Sequence, residues 1–499
     1  MADPRYFRIP MHPVSLAFAA VLAGLASLPA SAADPTIHPE YSSDLSISEA
    51  FTGTGQITQM AWGPDGRLYA SRISGGAVSL SYDAATGRFS DLRRASSISG
   101  VGIGFLPGRG EMYQTSADGS IWRLTRNAST PHLWGGPGAT QVAIVTGIPQ
   151  GDHSVDQIQI RGNTLYVGIG TRTINGGTGP GTGLFYSDVP GDRGMASGGR
   201  GTTFGESAYG GTISTIKDLS KVASVTDAAR LLGPISEGTI RGDASPYGAR
   251  DDKLVVHSAG TRNPFGLAID RDGDLYFSNN YNRATSIGDG TSRDSGFADA
   301  IGDDLSTSVH DQFFKAVEGG DYGYRNDNWR GRSPVLGLMA GRGAIRSITP
   351  DSLYLSDPTF GMLHDPGDPV GLGPSSSADG FDFWYNPLLP SGLVGDAFLT
   401  RFTGSVRERS PGTDALSFGD LVAVDPETGE VRRIASGFDS PLAVLADPFG
   451  RLLVADFGAG NVYAIQAMGA PTAVPEPSTI LMLLIGLPLA AVCRRRPLR

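Results

Sequence analysis

The sequence predicts an all-β fold, a six-bladed β-propeller with long inserted loops. A hairpin-like pattern, in which two alternating apolar segments flank a turn, recurs six times between about residue 60 and residue 465. Glycine supplies 70 of the 499 residues, about double its usual share, as expected for a fold with many tight turns. A hairpin unit that cannot bury its own faces must pack against its neighbours, and a propeller provides this packing.

Each hairpin has an apolar strand, a turn containing glycine, proline or aspartate, and a second apolar strand. In chain order the hairpins occupy residues 61–71, 101–124, 156–171, 257–280, 380–402 and 441–465. The gaps after the third and fourth hairpins exceed one four-stranded blade, so we expect inserted loops there. Residues 217–232, KDLSKVASVTDAARLL, predict a short helix on the propeller face. Tyrosines in the second strands (Tyr69, Tyr166 and Tyr276) are predicted to pack in the core.

The N-terminus predicts a secretory signal peptide. Arg5 and Arg8 precede the apolar run Val14–Leu28, and Ala30-Ser31-Ala32 provides small residues at the spacing that signal peptidase requires. The alternative is an N-terminal helix of the folded domain, but a polar, proline-containing stretch follows at once. We therefore assign residues 1–32 to a signal peptide and residues 33–470 to the β-propeller domain.

The C-terminus, residues 471–499, predicts a sorting signal. Pro475-Glu476-Pro477 is followed by the short apolar run Ile480–Val492 and then by the cluster Arg494–Arg496. The apolar run is short for a stable membrane span, and its cationic end should remain cytoplasmic. This order resembles the PEP-CTERM signal of Gram-negative bacteria, at which an exosortase cleaves. The resemblance implies export across the inner membrane, transient insertion of a sorting helix, and delivery to the cell surface or extracellular matrix.

Composition excludes several classes of function. The only cysteine, Cys493, lies in the predicted tail, so the mature domain has no thiol for disulfides, catalysis or thiolate metal sites. The formal net charge is −10, and an acidic body repels the phosphates of nucleic acids. The same carboxylates are suitable ligands for a hard cation such as calcium.

Asp152 and His153 form the first candidate catalytic pair. They stand just before the third hairpin, where a propeller strand enters from a surface loop. A carboxylate beside an imidazole can raise its pKa and orient it, as a general base requires. The alternative is a histidine that is only solvated or hydrogen-bonded.

Two segments resemble the soluble glucose/sorbosone dehydrogenases, six-bladed propellers that use pyrroloquinoline quinone and calcium. Residues 152–170 are similar to the segment that carries the catalytic base in that family. Residues 260–268, GTRNPFGLA, resemble its G-x-R-N-P-x-G-L-A segment, in which the arginine and asparagine face the quinone and substrate. The resemblance implies that Arg262 and Asn263 take these positions here.

Further segments extend the resemblance over roughly residues 55–465, with insertions at about 172–250 and 325–375. Residues 310–314 and 319–324 are similar to paired family motifs, and Tyr322 lies in the second of these. The family has arginines near the final blade that pair with the quinone carboxylates. Ser440-Pro441-Leu442 stands there in this chain, and the nearby Arg401, Arg407 and Arg409 are the candidate replacements. We take Arg401, Tyr322 and Asn263 as the candidate cofactor-binding residues.

The resemblance implies an exported dehydrogenase that oxidises a sugar or related alcohol. His153 would remove the hydroxyl proton, Asp152 would orient the imidazole, and hydride would pass to a quinone polarised by calcium and Arg262. The alternative is a non-catalytic extracellular propeller, a binding or matrix protein delivered by the exosortase system. A lactonase on a related propeller would need a central glutamate and asparagine–aspartate ligands, for which the spacing provides no set.

The remaining motifs have simpler interpretations. Asp270–Asp274 resembles the start of a calcium loop, but its position between apolar strands favours a hairpin turn. The glycine-rich stretches 177–183 and 197–201 follow no strand-then-helix pattern, so we interpret them as loops and not as phosphate sites. The spacing of His257, His310 and His364 implies no metal site.

Overall fold

The computed structural model describes residues 34–106, 108–148, 153–170, 209–222, 226–227, 254–259, 261–280, 311–318, 320–321, 346–347, 372, 376–402 and 419–468. Strands β1 (Thr36–Ile37) and β2 (Leu45–Phe51) come first, with a 3-10 helix between them at Pro39–Tyr41. Blade 1 then contains β3 (Ile57–Trp62), β4 (Leu68–Arg72), β5 (Val78–Asp83) and β6 (Arg88–Arg94). Blade 2 contains β7 (Ile103–Leu106), β8 (Glu111–Ser116), β9 (Ser120–Thr125) and β10 (Gln141–Thr146).

The middle blades carry the long connections. Blade 3 begins with β11 (Val155–Arg161), β12 (Thr164–Ile169) and β13 (Thr212–Ile216). The chain then passes through a 3-10 helix at Leu219–Lys221 and through β14 (Thr226–Asp227), which pairs with β10 of blade 2. It returns to blade 3 with β15 (Val255–Ala259) and forms blade 4 from β16 (Leu267–Ile269), β17 (Leu275–Asn279) and β18 (Gln312–Lys315).

The last two blades complete the molecule. The short strands β19 (Gly320–Asp321) and β20 (Arg346–Ser347) extend the outer edge of blade 3. Blade 5 contains β21 (Ala378–Phe383), β22 (Ala397–Arg401), β23 (Gly419–Val424) and β24 (Val431–Phe438), with β1 at its edge. Blade 6 contains β25 (Pro441–Ala446), β26 (Leu452–Asp456) and β27 (Asn461–Ala467), and its outer strand is β2.

The first strands of the six blades form a closed ring around one axis. In order, β3 contacts β7, then β11, β16, β21 and β25 follow, and β25 contacts β3 again. Closure depends on β2, because this N-terminal strand pairs with β27 and so joins the two ends of the chain in one blade. The prediction of a six-bladed all-β propeller is confirmed, and each of the six sequence hairpins supplies the inner strands of one blade.

Within the described part of the chain, the buried apolar side chains form six clusters, each lying between two neighbouring blades. Both faces of a blade are therefore buried, which explains the nearly continuous apolar runs in the inner strands. Tyr69 and Tyr276 are 0% and 8% exposed and lie in these clusters, and half-buried Tyr166 packs against another. The prediction that these tyrosines are core residues is confirmed.

Hydroxyl side chains link adjacent blades at one repeated position, the penultimate residue of the second strand. Ser71 donates to the carbonyl oxygen of Gly100 at 3.0 Å, and Thr115 donates to that of Asp156 at 3.1 Å. Ser278 donates to the carbonyl oxygen of Asp379 at 2.7 Å. Each bond joins one blade to the next near the end of the propeller where the innermost strand of each blade begins. We call this end the upper end.

The turn at Asp270–Asp274 joins β16 to β17, as predicted. The carboxylate of Asp270 accepts the backbone N–H groups of Gly273 and Asp274 at 2.7 and 2.8 Å. Gly273 has a φ of +92°, a conformation that glycine adopts without strain. The carboxylate of Asp270 is thus used within the turn, and the hairpin interpretation is confirmed.

The helix predicted over residues 217–232 is wrong where the structure describes this segment. The chain has one 3-10 turn at Leu219–Lys221 and then the strand Thr226–Asp227. The side chain of Asp218 caps the turn by accepting the N–H of Ser220, and Thr226 pairs with Val145. Strand pairing with blade 2 therefore overrides the local helix propensity.

None of the helices in the described ranges has the length and apolar character needed to cross a membrane. The predicted signal peptide, the sorting helix and the glycine-rich stretches 177–183 and 197–201 lie outside the described residues.

Candidate active site

Two glycines near the end of β12 permit a close approach of blades 3 and 4. A side-chain carbon at Gly168 would overlap the carbonyl oxygen of Pro264, which belongs to the segment entering blade 4. A side-chain carbon at Gly170 would overlap Cβ of His153 and lie 2.5 Å from Oδ1 of Asn263. Glycine is the residue that leaves room for this contact. His153 and Asn263 consequently lie against the same backbone atom, although they are far apart in sequence.

His153 lies immediately before β11 at the upper end of the propeller and is half-buried. The N–H of Gly170 donates to the carbonyl oxygen of Ser154 at 3.0 Å, which fixes the loop that carries the histidine. Asp152, the predicted orienting carboxylate, lies outside the described residues, as do Tyr322, His310 and His364.

Arg262 and Asn263 are held by one buried amide. The backbone N–H groups of both residues donate to Oδ1 of Asn279, at 3.0 and 3.1 Å. Asn279 in turn donates to Oε1 of Gln312 on the next strand at 3.1 Å. This network explains why a polar segment keeps a defined conformation at the entrance of β16.

The guanidinium of Arg262 also has a defined place at the upper end. Its Nη1 donates to the carbonyl oxygen of Asn280 at 3.1 Å, and the residue is 8% exposed. The N–H of Asn280 donates to the carbonyl oxygen of Asn263 at 3.0 Å. Strands β11 and β16 are in contact, so blades 3 and 4 are adjacent. His153, Arg262 and Asn263 therefore lie at the same end of two neighbouring blades.

Arg401 lies elsewhere, inside blade 5. It is 0% exposed, and its Nε donates to Oδ1 of Asp420 at 2.7 Å while Nη2 pairs with Oδ2 of the same carboxylate. A third bond joins Nη1 to the carbonyl oxygen of Leu372 at 3.3 Å. This bidentate pair supports a structural role for Arg401 and gives no support to the predicted role in cofactor binding.

Sequence reasoning missed two buried acids at the upper ends of the inner strands. Burial raises the pKa of Asp156 well above its usual range, and the nearby charge of Asp379 raises it further. Burial also raises the pKa of Asp379, while hydrogen bonds from Asn280 and Ser377 lower it and the charge of Asp311 raises it. The available signal was a carboxylate at the start of an otherwise apolar inner strand, as in VDQIQI and ADGFDF.

A cavity of about 470 Å³ occupies the lower end of the axis. It is lined by residues from all six inner strands, among them Trp62, Leu106, Ile160, Ile269, Asp382 and Leu445. Burial raises the pKa of Asp382 to about 6, although the N–H groups of Ala446 and Phe383 donate to its carboxylate. The candidate site at the upper end is thus separate from this cavity.

Comparison with solved structures supports the architecture. The chain is similar to the calcium structure of a Trichoderma reesei carbohydrate-active enzyme of family AA12, with a TM-score of 0.52 and 14% identity over 88% of this chain and 98% of that one. The iodide structure of the same family and organism gives a TM-score of 0.51 and 14% identity over 87% and 97% of the two chains. At this identity the likeness shows the fold.

A third structure is the holo form of the pyranose dehydrogenase PQQ domain from Coprinopsis cinerea, with a TM-score of 0.49 and 14% identity over 87% of this chain and 97% of that one. No curated protein sequence matches this chain. Residues 473–496 match the family model of the PEP-CTERM protein-sorting motif, which confirms the predicted sorting signal. The protein is therefore a six-bladed β-propeller that carries a PEP-CTERM sorting motif at its C-terminus.

Proposed function

We propose that the protein is an exported quinone-dependent dehydrogenase that oxidises a sugar or a related alcohol. The proposal rests on the observation that His153 and Asn263 both lie against Gly170. Arg262 is the residue before Asn263, and the backbone N–H groups of both are held by the same amide. These are the residues that the family resemblance marks as base and cofactor partners. Their convergence at one end of the propeller is the arrangement that such chemistry requires.

The side-chain oxygen atoms near His153 are suitable ligands for calcium, and the neighbouring arginine is a suitable partner for an anionic group of a quinone. Asp156, Asn263 and Asn280 each have a buried side-chain oxygen with no hydrogen-bond partner among the described residues, and oxygen atoms are the ligands that calcium prefers. The guanidinium of Arg262 supplies positive charge next to them. Pyrroloquinoline quinone, when bound, supplies the hydride acceptor.

The protein's own residues would bind, orient and deprotonate the substrate. His153 accepts the hydroxyl proton of the alcohol as general base, and Asp152 orients its imidazole. Arg262 stabilises negative charge that develops at the oxygen atoms of the reacting groups. The bond from the N–H of Gly170 to Ser154 keeps the base at a fixed position, next to the backbone atom against which Asn263 also lies.

Reconstitution of the purified full-length protein tests this proposal. Titration with pyrroloquinoline quinone and calcium should change the quinone absorbance, and the loaded protein should reduce a dye in the presence of an aldose or polyol. His153→Gln should lower this activity about 10²-fold to 10⁴-fold, the usual contribution of a general base. Absence of quinone uptake, or full activity in His153→Gln, would refute the assignment.

His257 provides the matched control. It is a half-buried histidine of blade 3 whose ring packs edge-on against Tyr166, and burial lowers its pKa to about 4. His257→Gln changes the same residue type outside the candidate site. Activity should persist in this variant, so that a loss confined to His153→Gln reports on the base.

The second candidate is a non-catalytic surface propeller. It is favoured by the pairing of Arg401 with Asp420, which removes one expected partner of the quinone carboxylates. This alternative predicts neither quinone uptake nor sugar oxidation in the reconstitution experiment.

The export route is the remaining part of the proposal. The sorting motif at residues 473–496 supports processing by an exosortase, and the N-terminal segment 1–32 supports prior cleavage by signal peptidase. Mass spectrometry of surface protein from an exosortase-bearing host should find a chain that lacks both segments. Recovery of the intact C-terminus from the surface fraction would contradict this route.

A further inference from the structure

The chain leaves the propeller at the lower end, where the innermost strand of each blade stops. Strand β25 runs from the upper end to the lower end, and β26 and β27 each reverse direction, so β27 also ends at the lower end. Its last residue, Ala467, pairs with Leu45, the first residue of β2. The N–H of Met468 then donates to the carbonyl oxygen of Asp44 at 2.6 Å. The segment that leads to the sorting motif at residues 473–496 therefore starts from the lower end.

Most of the exposed large apolar side chains in the described part of the chain lie at this same end. Leu388 and Val394, each 41% exposed, belong to the loop that follows the lower end of β21. Met468, 54% exposed, follows the lower end of β27. The fourth such side chain, Leu92, is 38% exposed and lies on β6, in the half of that strand nearer the upper end.

The three side chains at the lower end adjoin one apolar cluster, the cluster between blades 5 and 6. Each is the sequence neighbour of a buried member of that cluster, namely Leu389, Leu393 or Ala467. We call Leu388, Val394 and Met468 the lower patch. An exposed apolar patch that continues a buried cluster is typical of a surface that contacts another molecule or a membrane.

The loop that carries two of these side chains has a fixed conformation. The indole N–H of Trp384 and the amide of Asn386 donate to the carbonyl oxygen of Gly450, in the turn of blade 6, at 3.2 and 2.6 Å. The N–H of Gly395 donates back to the carbonyl oxygen of Trp384 at 2.9 Å. The exposure of the two apolar side chains is therefore built into the fold.

The predicted membrane segment begins close to this patch. Ile480, its first residue, follows Met468 by twelve positions, which span at most about 43 Å when fully extended. The run Ile480–Val492 has thirteen residues, and a helix of that length measures about 20 Å against about 30 Å for the hydrocarbon core. So short an anchor binds weakly, and apolar contacts between the domain and the bilayer surface would strengthen it.

We propose that the lower patch contacts the bilayer surface while the C-terminal segment holds the protein at the membrane. The upper end, with the candidate active site, then faces away from the bilayer and toward the substrate in solution. The contact is apolar, because the net charge of −10 gives the protein no general attraction to anionic headgroups. The inference rests on the proposed export route and does not depend on the proposed dehydrogenase.

A fluorescent label on residue 388 tests the contact in the full-length protein. Leu388→Cys in a Cys493→Ser background, labelled with the dye NBD and reconstituted into phosphatidylcholine vesicles, should show blue-shifted emission that spin-labelled phosphatidylcholine quenches. Leu92→Cys in the same background is the matched control, because Leu92 has a similar exposed fraction away from the lower end. Its label should keep the emission of a water-exposed dye. Equal quenching at the two positions, or none at residue 388, would overturn the proposal.

The contribution of the patch to membrane affinity gives a second readout. Leu388→Ser/Val394→Ser should lower the partition of the full-length protein into phosphatidylcholine vesicles about 10-fold, because two apolar side chains leave the interface. Both side chains are exposed, so the melting temperature should stay close to wild type. Leu92→Ser should partition like wild type, and anionic phosphatidylglycerol should not strengthen binding. Unchanged partition of the double variant in vesicle flotation would count against the patch.

The natural Cys493 separates this contact from the export route on which it rests. A label on Cys493 of the wild-type chain reports whether the C-terminal segment enters the bilayer. Quenching at Cys493 without quenching at residue 388 would support the anchor and refute the contact of the patch. A label at residue 388 that is already blue-shifted before lipid is added would identify the protein itself as the occupant of the patch and would also refute it. Failure of the dehydrogenase proposal shows in quinone uptake, which these labels do not measure.

Discussion

At the scale of single residues, the candidate site depends on a position without a side chain. Gly170 lies under both His153 and Asn263, and its backbone is the surface on which they meet. The same strand has Gly168 two positions earlier, where blade 4 approaches through Pro264. Both glycines therefore leave room for residues of the segment that enters blade 4, Pro264 at Gly168 and Asn263 at Gly170.

Gly170→Ala should displace His153 and Asn263, because the new methyl group overlaps one and lies 2.5 Å from the other. We expect a loss of about 1–3 kcal/mol in the free energy of unfolding, as for other overpacked sites. The proposed dehydrogenase activity should fall about 100-fold, because small displacements of a reacting group are costly. Urea denaturation and dye-linked oxidation measure the two effects.

Gly392→Ala is the control for that substitution. The nearest atom to a side-chain carbon at Gly392 is Nη1 of Arg432 at 3.6 Å, an ordinary contact. Stability and activity should remain close to wild type. Tolerance of alanine at both positions would show that His153 and Asn263 are not held by Gly170.

A second residue-scale prediction concerns Asp396, which is 5% exposed. Burial raises the pKa of its carboxyl group to about 7, although Arg432 lowers it. The folded protein thus holds this proton more tightly than the unfolded chain, so stability from this group is present below about pH 4 and is lost as the pH rises toward 7.

Asp396→Asn should therefore remove part of the decline in unfolding free energy between pH 5 and pH 8. The difference should be on the order of a few kcal/mol at the higher pH, as measured by urea denaturation at both values. Asp83→Asn, at an exposed carboxylate whose pKa is lowered by hydrogen bonds from Thr86 and Ala85, is the control. Identical pH slopes in wild type and Asp396→Asn would exclude this role.

At the scale of elements, the repeated hydroxyl in the second strand fastens one blade to the next. Ser278 donates to the carbonyl oxygen of Asp379 and accepts the N–H of Gly266 at 2.9 Å. Ser278→Ala leaves both buried groups without this partner and should cost about 1–3 kcal/mol of unfolding free energy. Ser42→Ala, at an exposed hydroxyl that donates to Pro39, should change little. Equal stability of the two variants in urea would count against the inter-blade link.

At the scale of the whole molecule, stability depends on the closure of the ring by β2. Leu45, 2% exposed, carries this strand into the apolar cluster between blades 5 and 6. Leu45→Ala should cost about 2–5 kcal/mol, the usual range for a buried leucine, and lower the melting temperature. Leu92→Ala on β6, where the side chain is 38% exposed, should have a small effect. A melting temperature unchanged by Leu45→Ala would show that closure does not depend on this contact.

The local part of the fold could be predicted because strand alternation and turn residues act over a few positions. The six hairpins, the turn at Asp270–Asp274 and the buried tyrosines followed from such patterns. The segment 217–232 was predicted wrongly because pairing with β10, far away in sequence, decided its conformation. Local propensity is a weak guide where a remote strand offers hydrogen bonds.

The sequence by itself determined the blades, the sorting motif and the candidate base and arginine, since each is a property of contiguous residues. Only the tertiary structure decided that Asn263 and His153 both lie against Gly170, that Arg401 is paired with Asp420, and that Asp379 lies close enough to Asp156 for its charge to raise the pKa of Asp156. The pairing of Arg401 with Asp420 depends on the register of β22 and β23, which places the two residues opposite each other. The other two facts depend on the packing of neighbouring blades, which brings the starts of their inner strands together whatever their separation along the chain. Chain spacing contains no information about such contacts until the packing of the blades is known.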